Sequence, residues 1–164
     1  MRCQSNGGMR MDNIFKVIFS GTTQQLIELI EMGTDINAQD KGKRTPLIQA
    51  TIDNQIDKMI IIIRNGADVN IQDSLGYTAL HYAAQNFLFD ACKLLIENKA
   101  AVDVQDIHGN TPLFRAVFNS KGRGEVIGLL RSFGANVCLN NKYGVSPLQL
   151  ANTIGNFDIK QFMN

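Results

Sequence analysis

The sequence has no tryptophan, only three prolines and no long hydrophobic run. Its longest aliphatic stretch, residues 59–63, is far shorter than the roughly 20 residues that cross a bilayer, which excludes a transmembrane helix. The polar start of the chain has no apolar segment of the kind that a secretory signal contains. We therefore expect a cytoplasmic protein that has no membrane partner.

A charge excess of one sign is also missing, because 16 basic side chains stand against 15 acidic ones. Nucleic-acid binders usually carry a basic patch, so we expect no nucleic-acid partner. The cysteines, Cys3, Cys92 and Cys138, lie far apart and show no zinc-ligand spacing. They are predicted to be reduced and structural, and no metal site is predicted.

Catalytic and nucleotide-binding motifs are absent as well, including the metalloprotease, nucleophile-elbow, phosphate-loop and calcium-loop patterns. Residues 121–124 contain a bare G-x-G, which is typical of a solvated turn as much as of a phosphate site. With two histidines in the whole chain, a convergent set of titratable groups is hard to assemble. No catalytic residue and no cofactor are predicted, and the protein is expected not to be an enzyme.

The three prolines all occupy the same slot of a repeated segment. The segments begin at Thr45, Thr111 and Ser146, and a further copy at Thr78 has alanine in the proline slot. The first three copies are spaced 33 residues apart, and the last follows after 35. A regular period of this length indicates a repeat protein.

A second periodic block keeps the same register, in segments that begin at Gly33, Gly66, Lys99 and Gly134. Threonine or serine caps a helix N-terminus, and proline fits the first helical position. Glycine after an apolar stretch suits the left-handed cap at a helix C-terminus. Each unit therefore predicts two helices, and turn-forming residues connect it to the next unit.

The first block resembles the ankyrin T-P-L-H-x-A signature. The resemblance implies an all-α solenoid of about five helix-turn-helix units with short hairpin-like fingers, and a non-catalytic module for protein–protein interaction. Residues 1–10 are predicted to be a flexible or vector-derived leader before a single domain at 11–164. The predicted units are an opening repeat at 11–39, full repeats at 40–72, 73–105 and 106–140, and a closing repeat at 141–164.

Several residues depart from the family pattern or have a predicted structural role. Lys43 and Lys99 stand where glycine is usual, which predicts a distorted finger and a distorted helix end. Two extra residues around 119–124 predict a longer turn within the fourth unit. His81 is predicted to join the hydrogen bonds between repeats, and Cys92 to be buried and inert.

The resemblance also implies a concave binding face, built from the finger tips and the exposed side of each first helix. Exposed apolar area and aromatic side chains are typical of protein-binding surfaces. The alternative is that these side chains pack on neighbouring fingers and hold the stack together. The residues predicted at this face are Lys41, Arg44, Ile52, Asp53, Leu75, Tyr77, Gln85, Asn86, Ile107, His108, Asn110, Phe118, Asn119, Lys142 and Tyr143.

The partner is expected to be a protein, and the free chain a monomer. The chain resembles small bacterial ankyrin proteins, which suggests an immunity protein that covers a cognate toxin domain. The alternative is a host-directed effector or a scaffold protein. On the back of the stack, Ile27 and Ile60 share one outward position and either form a second patch or are covered by the opening repeat.

Overall fold

The computed structural model describes residues 7–154 and 161–162, with side chains from Ile14 onwards. Residues 1–6 of the predicted leader, which include Cys3, lie outside this part. Contacts within the chain define two compact units, Met1–Asp68 and Val69–Asn164. The boundary falls inside the predicted repeat 40–72, close to its end.

All regular elements of the described residues are α-helices. The first unit contains α1 (Gly7–Ser20), α2 (Thr23–Glu31), α3 (Pro46–Ile52) and α4 (Ile56–Arg64). The second unit contains α5 (Ala79–Gln85), α6 (Phe89–Glu97), α7 (Pro112–Phe118), α8 (Glu125–Ser132) and α9 (Pro147–Thr153).

The first helix overlaps the predicted leader. Helix α1 begins at Gly7, inside the segment predicted as a leader, so residues 7–10 are helical. None of the helices in the part of the chain that the structure describes is both long and apolar enough to cross a membrane.

The predicted helix starts are confirmed at atomic detail. The hydroxyl oxygens of Thr45, Thr111 and Ser146 each accept a hydrogen bond from the backbone N–H three residues later, at 3.2 Å. Each of these caps is followed by proline at the start of its helix. The bond satisfies an amide that has no partner within the helix, so the T-P-L segments set where α3, α7 and α9 begin.

The helix ends are confirmed too, but the predicted distortion is wrong. Gly66 and Gly134 have φ of 88°, and Lys99 takes the same left-handed conformation with φ of 69°. Lys43 likewise has φ of 58° in the first finger. The two lysines keep the path of the chain and carry the strain of a left-handed backbone, instead of bending the unit.

Each unit has its own apolar core. In the first unit, α1 packs on α2 and α3, while α4 packs on α2 and α3. In the second unit, α5 packs on α6 and α7, and α8 lies against α6 and α7. Leu80, Leu95, Leu113, Ile127 and Leu130 are fully buried there.

Lys58 is a buried cation in the first unit. Its ammonium donates to the carbonyl oxygens of Val17, at 2.9 Å, and Ile18, at 2.7 Å. These carbonyls lie in the last turn of α1, where a positive charge is favourable because of the helix dipole. Lys58 therefore joins α4 to the end of α1.

Candidate protein-binding face

Each finger is organised by one acidic or amide side chain. Oδ1 of Asp73 accepts hydrogen bonds from the backbone N–H groups of Leu75, at 2.8 Å, and Tyr77, at 2.9 Å. The backbone N–H of Asp73 donates to the carbonyl of Tyr77 at 2.9 Å, which closes the loop. The same pattern is formed around Asp40, Asp106 and Asn141. The sequence analysis identified turn-forming residues here but missed this role. The signal for it is that these four side chains occupy the same position in successive repeats.

Adjacent fingers of the second unit are joined through their backbones. The N–H of Ile107 donates to the carbonyl of Leu75 at 3.1 Å, and the N–H of Lys142 donates to that of His108 at 3.0 Å. A Cβ on Gly109 would lie only 2.8 Å from the backbone nitrogen of Lys142, so glycine is needed for this close approach. The tips are therefore held at fixed spacing.

Glutamine side chains add a second link between these fingers. Nε2 of Gln72 donates to the carbonyls of Gly76, at 2.7 Å, and Gln105, at 3.0 Å. Gln105 repeats the pattern one unit later, with the carbonyls of Gly109 and Asn140. Each finger is thus bonded directly to the next finger along the chain.

Large apolar side chains stand exposed at these tips. Leu75 is 49% exposed, Ile107 45% and Tyr143 73%. The ring of Tyr143 stacks on that of His108, with 6.4 Å between the ring centroids. These four residues and Lys142, which is exposed beside them, form what we call the finger-tip row.

A further exposed apolar side chain lies on α7. Phe118 is 62% exposed at the end of this helix, three residues after Arg115 and so on the same side of it. Asn86 is exposed just after α5, whereas Gln85 and Asn119 are half-buried. Of the predicted inner-helix positions in this unit, Phe118 offers the largest apolar contact.

Two residues predicted to contact a partner are buried instead. Tyr77 is 8% exposed. Its ring stacks on that of His81, with 5.2 Å between centroids, and the Arg115 guanidinium also lies over it. Asn110 is 6% exposed, and its side chain accepts a hydrogen bond from Asn141 at 2.9 Å. Their prediction as exposed contact residues is therefore corrected: both side chains turn inward and hold the fingers against the helices.

The buried carboxylate of Asp106 ties a finger to α7. Arg115 donates to its Oδ2 from Nε, at 3.1 Å, and from Nη2. Burial by itself would raise the pKa of Asp106, but the bonds from Arg115 and from the backbone amides outweigh it and hold that pKa below its ordinary value. The carboxylate is therefore ionised and fully engaged, and it is a structural group.

His81 is confirmed in its predicted place between repeats. Its Nδ1 accepts from the backbone N–H of Thr78 at 3.1 Å, so Nε2 carries the proton and donates to the carbonyl of Asn110 at 3.1 Å. Burial lowers the pKa of His81 to about 4, although the bond to Asn110 and the charge of Asp106 act in the opposite direction. The imidazole is neutral and fully engaged, as in a structural histidine.

The predicted contact residues of the first unit include no strongly exposed apolar side chain. Lys41 is exposed, and Arg44 forms an ion pair with Asp40 at 2.8 Å. Ile52 and Asp53 are half-buried. On the back of this unit, Ile27 and Ile60 are half-buried as well, so they form no strongly exposed patch.

The thiols differ sharply in their surroundings. Cys92 is completely buried in α6, and burial raises its pKa to about 12, which makes it inert as predicted. Cys138 is exposed. Among the residues from Ile14 to Ile154, no group of three or more metal-ligating side chains comes together.

Paired helices joined by finger loops, with side chains displayed at a fixed spacing, define a helical repeat protein with a modular recognition surface. A family model for ankyrin repeats, in three copies, matches residues 14–106 and 55–141. The chain belongs to the ankyrin repeat family, which confirms the predicted all-α repeat fold. No curated protein matches the sequence. Ankyrin repeats are generally modules for protein–protein interaction, and the family is typically non-catalytic.

Proposed function

We propose that the chain binds a protein partner through the finger-tip row of its second unit. The observation that carries this proposal is the exposure of Leu75, Ile107 and Tyr143 at three successive tips. Backbone hydrogen bonds between the fingers hold the backbone that carries these side chains in place before any partner arrives. Little backbone entropy is then lost on binding, which favours affinity.

Phe118 supplies a second anchor within the same unit. The fingers precede the N-terminus of α7, and Phe118 lies at its other end. At 1.5 Å per residue, this helix is about 10 Å long, so a partner that contacts both anchors spans at least that distance. Asn86 and the half-buried Gln85 and Asn119 are proposed as the polar surround, which excludes water without contributing much energy.

Tyr77, Asn110 and Arg115 support this surface from beneath. Because they fix the fingers on α5 and α7, their substitution is expected to weaken binding through loss of order and not through loss of contact. In the first unit, Lys41, Arg44, Ile52 and Asp53 are proposed as additional contacts. Their mixed charge offers no imitation of the nucleic-acid backbone.

Neutralisation of a toxin domain is the finer form of this proposal. The tips are apolar and aromatic, with Lys142 as the exposed charge of the row. Such a surface would cover a toxin by shape and by aromatic anchors, not by acidic mimicry. If the gene next to this one encodes a toxin, co-expression should protect the cell from it, whereas an effector or a scaffold would give no protection.

The binding proposal is tested by capture from native cells. The tagged chain is compared with the double variant Ile107→Ser plus Tyr143→Ala. Phe133→Ala is the matched loss of an exposed aromatic side chain just after α8. We expect the double variant to bind the captured partner at least about tenfold more weakly, since loss of an anchor commonly costs more than 1 kcal/mol. Full affinity of a folded double variant, or an equal loss in Phe133→Ala, would contradict the proposal.

A further inference from the structure

Glycines stand immediately before α8 and inside it, at two positions where α4 and α6 carry larger side chains. The repeat register of α4, α6 and α8 can be counted back from the left-handed residue after each of these helices, which is Gly66, Lys99 or Gly134. Ten residues back stand Ile56, Phe89 and Gly124, and six residues back stand Ile60, Lys93 and Gly128. In the fourth repeat, at 106–140, both positions are therefore glycine, one helical turn apart.

Backbone conformation does not explain these glycines. Gly124 has φ of −115° and ψ of −9°, which any amino acid adopts. Gly128 lies inside α8, where glycine is destabilising relative to alanine. A glycine kept inside a helix usually has a packing reason.

The ring of Phe162 supplies that reason. A Cβ built on Gly124 would overlap the ring, meeting three of its carbon atoms. A Cβ on Gly128 would lie 3.3 Å from Cδ1 of the same ring. Gly124 is buried and Phe162 is half-buried, so the ring lies across the two glycines in space that a side chain would otherwise fill.

We propose that Gly124 and Gly128 form a binding site for an aromatic side chain, and that Phe162 is its ligand. We call this site the glycine cradle. Through it, Phe162 is latched to α8, which packs on α6 and α7. Helix α6 packs on α8, the second helix of the next repeat. For α8, Phe162 provides a contact from the residues described after α9.

The latch has a defined specificity. Two absent side chains one turn apart leave a shallow apolar depression, which matches the flat face of a ring better than a branched aliphatic chain. Addition of a single methyl group at position 124 removes the space. Gly124→Ala is thus the smallest change that blocks the site, and its backbone conformation is open to alanine.

Because the chain has no tryptophan, Phe162→Trp adds a single fluorescent reporter. In the full-length protein, we expect its emission at short wavelength and its protection from acrylamide. Addition of Gly124→Ala should shift the emission to longer wavelength and increase quenching severalfold. Phe118→Trp is the matched control, and its emission should be the same with and without Gly124→Ala.

Hydrogen exchange gives an independent readout that needs no indole in the site. Phe162→Ala should accelerate exchange of the α8 amides about tenfold, whereas Phe133→Ala should leave them within twofold. Gly124→Ala should accelerate them in the parent chain but not in the Phe162→Ala background, because no ring is then left to displace. The proposal would be overturned if the indole of Phe162→Trp were equally exposed with and without Gly124→Ala. It would also be overturned if Gly124→Ala changed the exchange of the α8 amides equally with and without Phe162.

Discussion

The guanidinium carbon of Arg115 lies 4.8 Å from the centroid of the Tyr77 ring, and the same side chain donates to the buried carboxylate of Asp106. One residue of α7 thus fixes both a finger and the aromatic ring beside it. The arrangement places a cation over an aromatic face, which is favourable by itself and more so when partly desolvated. Arg115 thus anchors to α7 the fingers that carry Leu75 and Ile107.

Substitution of Arg115 by methionine should therefore be costly. It leaves the Asp106 carboxylate buried with its backbone donors and the Asn110 side-chain amide, which donates to Oδ2 at 3.4 Å. We expect a loss of about 2 kcal/mol in the free energy of unfolding. Urea denaturation at neutral pH measures this loss. Lys93→Met is the control, because Lys93 forms an exposed pair with Glu97 at 4.0 Å, and it should change stability by less than about 0.5 kcal/mol. Equal effects of the two substitutions would show that the buried contact adds nothing.

Stability should fall as the pH falls from about 6.5 to 4, because of His81. Its pKa in the folded protein is about 4, below the ordinary value of roughly 6.5, so the unfolded chain binds the proton first. Acidification from pH 7 to pH 5 should then cost about 2 kcal/mol of unfolding free energy. Asp106 has a lowered pKa and loses its contribution only at lower pH, below its ordinary value of about 3.9.

This pH dependence is checked by urea denaturation at both pH values. His81→Gln should flatten the profile between these pH values. The imidazole signals in proton NMR provide a second check on the unmodified chain, where His81 should stay neutral down to about pH 4. Titration of His81 near pH 6.5 in the folded protein would refute the burial argument.

Gly109 and Gly144 offer a matched test of finger packing. Both have positive φ, of 79° and 76°, so alanine is strained at either position. A Cβ on Gly109 would also lie 2.8 Å from the nitrogen of Lys142, whereas nothing lies within 4 Å of one on Gly144. We expect Gly144→Ala to cost about 1 kcal/mol and Gly109→Ala clearly more, about 2 to 3 kcal/mol, in thermal or urea unfolding. Similar losses would mean that the fingers separate easily.

Thiol labelling should distinguish the two described cysteines. In a Cys3→Ser background, a maleimide should label Cys138 within minutes, because it is exposed. Cys92 should react only after unfolding, since it is fully buried and its pKa is raised to about 12. Mass spectrometry of the labelled peptides identifies the site. Rapid labelling of Cys92 in the folded chain would contradict the packing of α6.

Much of the fold could be predicted because its signals are local and periodic. The caps at Thr45, Thr111 and Ser146 and the left-handed glycines depend on neighbouring residues alone. The role of Asp73 and its counterparts was missed, although their fixed offset from the T-P-L segments carries the information. Lys99 was misjudged because a non-glycine residue can bear left-handed strain when the surrounding repeat imposes it.

The candidate site was harder to predict, because exposure depends on contacts between units of the repeat. Tyr77 lies in a finger that was predicted to be exposed, yet Arg115 and His81 pack on its ring. The repeat pattern does not predict the contact between Phe162 and Gly124. Its one local signal is the unexplained glycine at 128, inside a helix.

The links made by Gln72 and Gln105 have a mechanical consequence. Within the second unit, each of these side chains bonds to its own finger and to the next one. Tension applied to the chain is therefore carried across a series of similar, short-range connections. When this unit is pulled in an optical trap, it should lengthen at low force in steps of about one repeat. Each step would break the links between two neighbouring fingers.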